Sequence, residues 1–335
     1  MKIIVDGFGG DHAPQSVLEG CAAAVAEYGV SIVLTGDEKR LREAAAAQNL
    51  SLDGMTFAHT ESVITNDDNP VDILKTFSDC SMALGLRMLA EGEGDAFVSA
   101  GSTGALVVGA SMITKRIKGV KRCALGTVLP NEKGCSLLLD VGANVECRPE
   151  MLAQFAHMGA FYMEKVMGVA NPSVGLVNIG AEESKGLDLQ VETYQLLKNS
   201  SLRFLGNVEG RDIPLGAADV LVADGFTGNI VLKTVEGMGK YMGHMLKGLF
   251  YKSALTKVGA LFVKQGIAEA KAKMDYTEYG GAPLLGIAKP VIKAHGSSNG
   301  YALKNAVRQA LRMCENDVVG AIADYARQSR ASAES

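Results

Sequence analysis

Short runs rich in Val, Ile and Leu recur along the chain: Ile3–Asp6, Ser31–Thr35, Ala96–Ser99, Ser136–Val141, Val174–Ile179, Leu202–Leu205 and Val220–Ala223. Between them lie longer stretches with apolar positions at helical spacing: Pro14–Tyr28, Asp37–Gln48, Pro70–Glu91, Glu150–Val166 and Glu183–Lys198. A strand that is apolar at every position, not at alternate ones, is buried on both faces. Its alternation with helices predicts parallel βαβ units. The expected fold is therefore α/β, a three-layer α/β/α sandwich around a mainly parallel sheet. Asp37, directly after Gly36 and ahead of an Ala-rich stretch, reads as a helix N-cap.

The length of 335 residues allows one large domain or two coupled lobes. No Pro-, Ser- or Gly-rich linker divides it, so residues 1–330 read as one α/β unit, with two lobes flanking a cleft left open. Residues 331–335, small and polar, read as a frayed tail. With 47% hydrophobic and 21% charged residues the chain is ordinary globular material. Its 39 glycines against 8 prolines point to tight strand-to-helix turns. A net charge of −4 argues against a whole-protein nucleic-acid footprint. Cys21, Cys80, Cys123, Cys135, Cys147 and Cys314 form no CxxC pair and no zinc-like cluster, which fits reduced thiols in a cytosolic protein. The chain enters its first strand without a signal-like segment, and no apolar run is long enough to span a bilayer. The expected location is cytoplasmic.

The chemistry-bearing residues follow the strands. "DGFGGDHAP" (Asp6 to Pro14) follows the first, "SAGSTGA" (Ser99 to Ala105) the third, and "DVGAN" (Asp140 to Asn144) the fourth. "NIGAEESKG" (Asn178 to Gly186) and "ADGFTGN" (Ala223 to Asn229) come next, then "GGAPLLGI" (Gly280 to Ile287) and "HGSSN" (His295 to Asn299). Ligands of open parallel sheets bind beyond the carboxyl ends of the strands. One such turn is only a tight connection; this many predict one shared cleft at one end of the sheet.

Two enzyme readings fit poorly. Gly7 and Gly9 begin a G-x-G-x-x-G pattern, with Asp37 as the ribose acid. However, His12 takes the third glycine's place, Asp11 would face the pyrophosphate, and Pro14 shortens the turn. A Ser/His/Asp hydrolase lacks its G-x-S-x-G elbow. His295 beside Ser297 and Ser298 either activates a hydroxyl or is a turn histidine bonded to backbone.

Taken together and in order, the blocks "DGFGGDHAP", "SAGSTGA", "DVGAN", "NIGAEESKG", "ADGFTGN" and "GGAPLLG…HGSS" resemble the signature of the PlsX family, bacterial acyl-ACP:phosphate acyltransferases of phospholipid synthesis. The likeness runs from Lys2 to about Ala326. Phe8 stands where the family usually has Met, and Ser102, which keeps a polar group but loses an amide, where it usually has Asn. The resemblance implies transfer of a long-chain acyl group from acyl carrier protein to inorganic phosphate. The product, acyl phosphate, would feed a membrane glycerol-3-phosphate acyltransferase. It also implies a homodimer and an architecture like isocitrate/isopropylmalate dehydrogenase and phosphotransacetylase, without implying a dehydrogenase.

Such a site must hold a phosphate dianion and a developing oxyanion, which backbone N–H groups at Gly-rich turns and helix N-termini can do without metal or cofactor. The expected catalytic set is Asp224, Asn229, Lys233 and His295. Phosphate and acyl contacts are expected from Gly9, Gly10, Asp11, Gly101, Ser102, Thr103, Gly104, Asn144, Asn178 and Gly180. Gly225, Thr227, Gly228, Ser297, Ser298 and Asn299 complete that set. Asp6, Asp11, Asp140 and Asp224 are expected to orient amides, hydroxyls or lysines. Lys233 is either a counter-charge or a solvated helix residue.

Two basic stretches concern partners. "KRIKGVKR" (Lys115 to Arg122) holds Arg116, Lys118, Lys121 and Arg122 without an acid. It is either a docking patch for the acidic carrier protein or a helix C-terminus that favours cations. Residues 241–268 also lack acids and interleave Lys247, Lys252, Lys257 and Lys264 with Met245, Leu246, Leu249, Phe250, Leu255, Leu261 and Phe262. That basic amphipathic segment suits an anionic membrane surface or a helical hairpin in a dimer core. The competing functions are a short-chain acyl-CoA phosphotransacylase and a non-enzymatic membrane scaffold.

Overall fold

Neighbouring residues on each interior strand point to opposite sides of the sheet, and both sides are apolar. Ile3 and Val5 enter one core and Ile4 the other; Leu137 and Leu139 enter the first and Leu138 the second. The computed structural model describes residues 1–334 except 254, 258, 261, 264 and 267–275. In chain order the strands are β1 (Lys2–Asp6), β2 (Ser31–Gly36), β3 (Met55–His59), β4 (Ala96–Ser99), β5 (Ala124–Asn131) and β6 (Gly134–Leu139). They continue as β7 (Ser173–Asn178), β8 (Arg203–Glu209), β9 (Val220–Val222), β10 (Ala282–Leu285) and β11 (Val291–Lys293). The helices are α1 (Gln15–Tyr28), α2 (Glu38–Ala47), α3 (Ser81–Glu91), α4 (Thr103–Gly109) and α5 (Pro149–Lys165). After them come α6 (Asp188–Lys198), α7 (Gly225–Phe250), α8 (Gly300–Glu315) and α9 (Val318–Glu334). Residues 331–334, expected as a tail, continue α9.

The eleven strands among the described residues join one sheet in the order β3-β2-β1-β4-β11-β10-β5-β6-β9-β7-β8. One core packs α1, α5, α8 and α9 on its face (Leu18, Phe155, Val307, Ile322); the other packs α3 and α4 (Leu86, Leu106). The α/β fold with a mostly parallel sheet is as expected. The pairings of β3-β2-β1-β4-β11 and of β6-β9-β7-β8 are parallel.

The three joins in the middle, β11·β10, β10·β5 and β5·β6, are antiparallel. An odd number of reversals makes the two parallel blocks run in opposite directions. The expectation that all the Gly-rich turns share one sheet end is therefore corrected: they form two groups, one per block. Two expected helices also change. Pro70–Glu91 divides into a 3-10 turn at Pro70–Leu74 and α3, capped by Cys80 Sγ accepting from the Ala83 N–H. Residues 183–187 are loop, and α6 begins at Asp188. Asp37 is the N-cap of α2, its carboxylate accepting from the Arg40 N–H at 3.2 Å.

Candidate active site

The first group of turns is built around a buried carboxylate. Asp6, at the end of β1, accepts from the Ser81 hydroxyl at 2.6 Å, the Ser99 hydroxyl at 2.8 Å and the Phe8 N–H at 3.3 Å. Burial pushes its carboxyl pKa up, against the pull of those donors. Ser99 Oγ in turn accepts from the Gly101 N–H at 3.0 Å, so Asp6 sets the path of the 99–104 turn. That turn and the first touch: a Cβ on Gly9 would lie 2.6 Å from Gly101 N. Gly10, at φ 103°, lets the chain turn where a side chain would be strained. Ser102 caps α4 by accepting from the Ala105 N–H, with Thr103 and Gly104 in the first turn. Phe8 fills the space over Gly36, with the Arg40 guanidinium 4.6 Å from its ring.

The third wall of this group is the loop after β11. The Asp11 N–H donates to the Gly296 carbonyl oxygen at 2.8 Å. His295 Nδ1 and Ser297 Oγ are 2.8 Å apart, the Ser298 N–H reaches the His295 carbonyl oxygen, and Asn299 caps α8 by accepting from the Ala302 N–H at 2.9 Å. The His295 ring is bonded within its own turn, to the Ser297 hydroxyl and, as acceptor, to the Ser297 N–H at 3.2 Å. Burial lowers its pKa.

The second group assembles around Asp140. One carboxylate receives five N–H donors: Leu125 N at 3.0 Å, Gly142 N at 3.2 Å, Ala143 N at 3.1 Å, Asn144 N at 2.7 Å and Asn144 Nδ2 at 2.9 Å. The Asn144 carbonyl oxygen then accepts from the Gly225 N–H at 2.7 Å, which docks the start of α7 on the turn. Asp224 caps α7, accepting from the Thr227 N–H at 2.9 Å and hydroxyl at 2.7 Å. A Cβ on Gly228 would sit 1.9 Å from the Asp140 carbonyl oxygen, so the helix and turn are in backbone contact. Asn229 faces Gly142 across this contact.

α7 links the two groups. It starts beside Asp140, and Lys233 and Glu236 on its third turn act electrostatically on His295 of the first group. Lys233 itself is exposed and pairs with Glu236 at 2.9 Å. Asn178 ends β7 and Gly180 follows it; β7 pairs in parallel with β9 so that Leu176 lies beside Val222. The Asn178 amide closes its own loop, donating to the Lys185 carbonyl oxygen at 2.9 Å and accepting from the Ile179 N–H at 2.8 Å.

Residues 116–122 are a loop leading into β5, not a helix end; only Lys115 lies in the last turn of the π-helical extension of α4. Arg116 donates to the Lys121 carbonyl oxygen and Lys121 lies 3.5 Å from Glu150, while Lys118 and Arg122 are exposed. Arg122 acts electrostatically on Cys147, and the Asn144 amide donates to the Cys123 carbonyl oxygen at 2.7 Å, so the basic loop borders the second group.

Sequence reasoning missed Lys293, buried at the end of β11. Its signal was weak: a charged residue closing an apolar triplet, two positions before the histidine of a polar turn.

The sequence model of a family described as fatty acid synthesis protein matches residues 1–320. The chain belongs to that family. It is 47% identical over 324 residues, 97% of each chain, to a phosphate acyltransferase of Alkaliphilus oremlandii. It is 48% identical over 322 residues, 96% of each chain, to one of Thermoanaerobacterium thermosaccharolyticum. It is accordingly an enzyme of the phosphate acyltransferase kind. Among solved structures, a phosphotransacetylase from Streptococcus pyogenes shares the fold over 94% of both chains, with a TM-score of 0.63 at 19% identity.

Proposed function

We propose that the protein transfers a long-chain fatty acyl group from acyl carrier protein to inorganic phosphate, giving acyl phosphate for phospholipid synthesis. The observation that carries this is near-full-length identity of 47–48% to phosphate acyltransferases. The short-chain acyl-CoA alternative rests on a fold shared at 19% identity. In the transfer, a phosphate oxygen bonds to the thioester carbonyl carbon, the C–S bond breaks, and the electron pair leaves on sulfur. A thiol pKa of about 8.5 makes that thiolate a good leaving group. The chain's contribution is then mainly orientation and oxyanion stabilisation, together worth roughly 7 kcal/mol or more when the geometry is held.

The two groups of turns divide this work. The carrier docks at Lys118 and Arg122, which border the Asp140 turn, so its thioester arrives at the N-terminus of α7. Asn229 faces it there, beside the turn held in place by the Asn144 amide, which is bonded to Asp140 and the Cys123 carbonyl oxygen. His295, Ser297, Ser298 and the Gly9–Asp11 and Gly101–Gly104 turns form the acceptor side. The unit acts as two lobes on one sheet, an arrangement like that of isocitrate/isopropylmalate dehydrogenases. Incubation with [32P]phosphate and palmitoyl carrier protein should label a hydroxylamine-sensitive acyl phosphate; label that needs CoA thioesters instead would favour the alternative.

The outer part of α7 leaves Met238, Tyr241, Met242, Met245 and Leu249 exposed, beside Lys240 and Lys247. Beyond it Leu255 and Phe262 are 83% and 86% exposed. Leu261, Lys264 and Ala268 of the expected segment lie outside the described residues. No described helix is long and apolar enough to cross a membrane. This face pairs with a second copy of the chain and meets an anionic bilayer, delivering acyl phosphate to the membrane glycerol-3-phosphate acyltransferase. Loss of vesicle co-flotation at high salt is expected; flotation indifferent to anionic lipid contradicts it.

A further inference from the structure

β11 closes the sequence Val291-Ile292 with a lysine that is only 7% exposed. Lys293 Nζ donates to the Ala100 carbonyl oxygen at 3.2 Å and to the Ala294 carbonyl oxygen. An ammonium has three N–H donors, and no carboxylate among the described residues lies within ion-pair distance of it. A buried charge is strongly disfavoured unless something of opposite sign completes it.

The groups around it are unequal to that task. Asp6, from β1, acts electrostatically on Lys293, but its oxygens are taken by Ser81, Ser99 and the Phe8 N–H. Asp11, from the turn after β1, acts on Lys293 only at longer range, and Lys233 from α7 opposes it with a like charge. On its own loop, His295 adds a second like charge when protonated, countered by Glu236 of α7. The polar turns at 9–11, 99–104 and 295–299 converge on this point: Lys293 bonds directly to the second through Ala100, and to the Ala294 carbonyl oxygen just ahead of the third.

We infer that the Lys293 ammonium is the buried cation that receives the acceptor phosphate, at the meeting point of the β1, β4 and β11 ends. The inference rests on the phosphate-transfer reading above and names where that phosphate sits. A phosphate oxygen takes the remaining N–H and supplies the directly bonded negative charge that Asp6 and Asp11 do not. Burial lowers the lysine's pKa to about 8 in the absence of ligand. Phosphate binds the protonated form, so its affinity falls about tenfold per pH unit above that value.

The test uses the full chain, inorganic phosphate as the varied substrate, and palmitoyl carrier protein. Lys293→Met should raise KM for phosphate about tenfold or more at neutral pH and leave KM for the carrier thioester within about twofold. Wild-type KM for phosphate should climb above pH 8, and Lys293→Arg, whose guanidinium does not titrate there, should flatten that limb. His295, with its lowered pKa, titrates below this window. A wild-type phosphate KM in Lys293→Met overturns the inference, and so does a wild-type profile that stays flat across the alkaline range. The wild-type profile decides the matter even if Lys293→Met fails to fold. Should the wild type make no acyl phosphate, the functional reading falls. Equilibrium dialysis of [32P]phosphate against wild type and Lys293→Arg at neutral and alkaline pH then judges the lysine by itself: the wild type alone should lose phosphate above pH 8, and equal retention by both overturns the inference.

Discussion

Replacing Gly228 by alanine sets two physical effects against each other. In a helix interior the exchange favours folding by about 1 kcal/mol, because alanine is the better helix former. Here the added methyl would lie 1.9 Å from the Asp140 carbonyl oxygen and 3.0 Å from its carbon. A comfortable C···O contact is about 3.3 Å, so the first turn of α7 must retreat by roughly 1.4 Å from the Asp140 turn. Neither partner yields easily: both atoms are backbone, Asp140 is clamped by five N–H donors, and Gly225 is tied to Asn144. Forced overpacking of this kind costs about 1–3 kcal/mol, which outweighs the helix gain. The retreat also shifts Asn229, and a misplacement of about 1 Å costs on the order of a hundredfold in rate. The variant should therefore unfold at lower urea than wild type and lose about two orders of magnitude in kcat for acyl phosphate formation. A Gly228→Ala protein that is stabilised, or that turns over within about twofold of wild type, would refute the backbone contact as the basis of the site.

Other substitutions separate the remaining claims. Asp140→Ala should cost about 3 kcal/mol or more in urea unfolding, since the Leu125 N–H and its neighbours lose a charged acceptor in the interior. His157 is buried against Tyr325, ring centroids 4.1 Å apart, and burial lowers its pKa to about 4 from 6.5. Because the unfolded chain binds that proton more tightly, stability should fall as pH drops from 6.5 toward 4, by up to roughly 3 kcal/mol. His157→Phe should remove that part of the slope. For the carrier, Lys118→Glu with Arg122→Glu should raise KM for acyl carrier protein several-fold at low salt, an effect that shrinks at high salt. Unchanged KM at low salt would place docking elsewhere.

The sequence made the buried strands of the two parallel blocks visible, because a strand covered on both faces must be apolar at every position, as Ile3–Val5 and Val220–Val222 are. It concealed the strands that decide the topology. β5 carries Gly126 and Pro130, β10 carries Pro283, and β11 ends in Lys293, so all three read as loop. Without them the three antiparallel joins cannot be seen, and the turns seem to share one end. The same omission hid Lys293, whose burial follows from its place on β11 between β4 and β10. Pro70–Glu91 kept helical spacing throughout, yet Ser81 is drawn to Asp6 and Cys80 restarts the helix, a tertiary demand that periodicity does not record. The aspartates of the turns were more legible, since a carboxylate beside glycines has backbone N–H groups within reach: Asp140 and Asp224 both accept them.

The central claim is transfer from a carrier-bound thioester to phosphate, and one measurement meets it directly. Thiol release and acyl phosphate are followed together, with palmitoyl carrier protein or acetyl-CoA as donor, in the presence and absence of phosphate. The account predicts equal amounts of thiol and acyl phosphate from the carrier thioester, only when phosphate is present. Thiol release that ignores phosphate, or that occurs from acetyl-CoA alone, would contradict it.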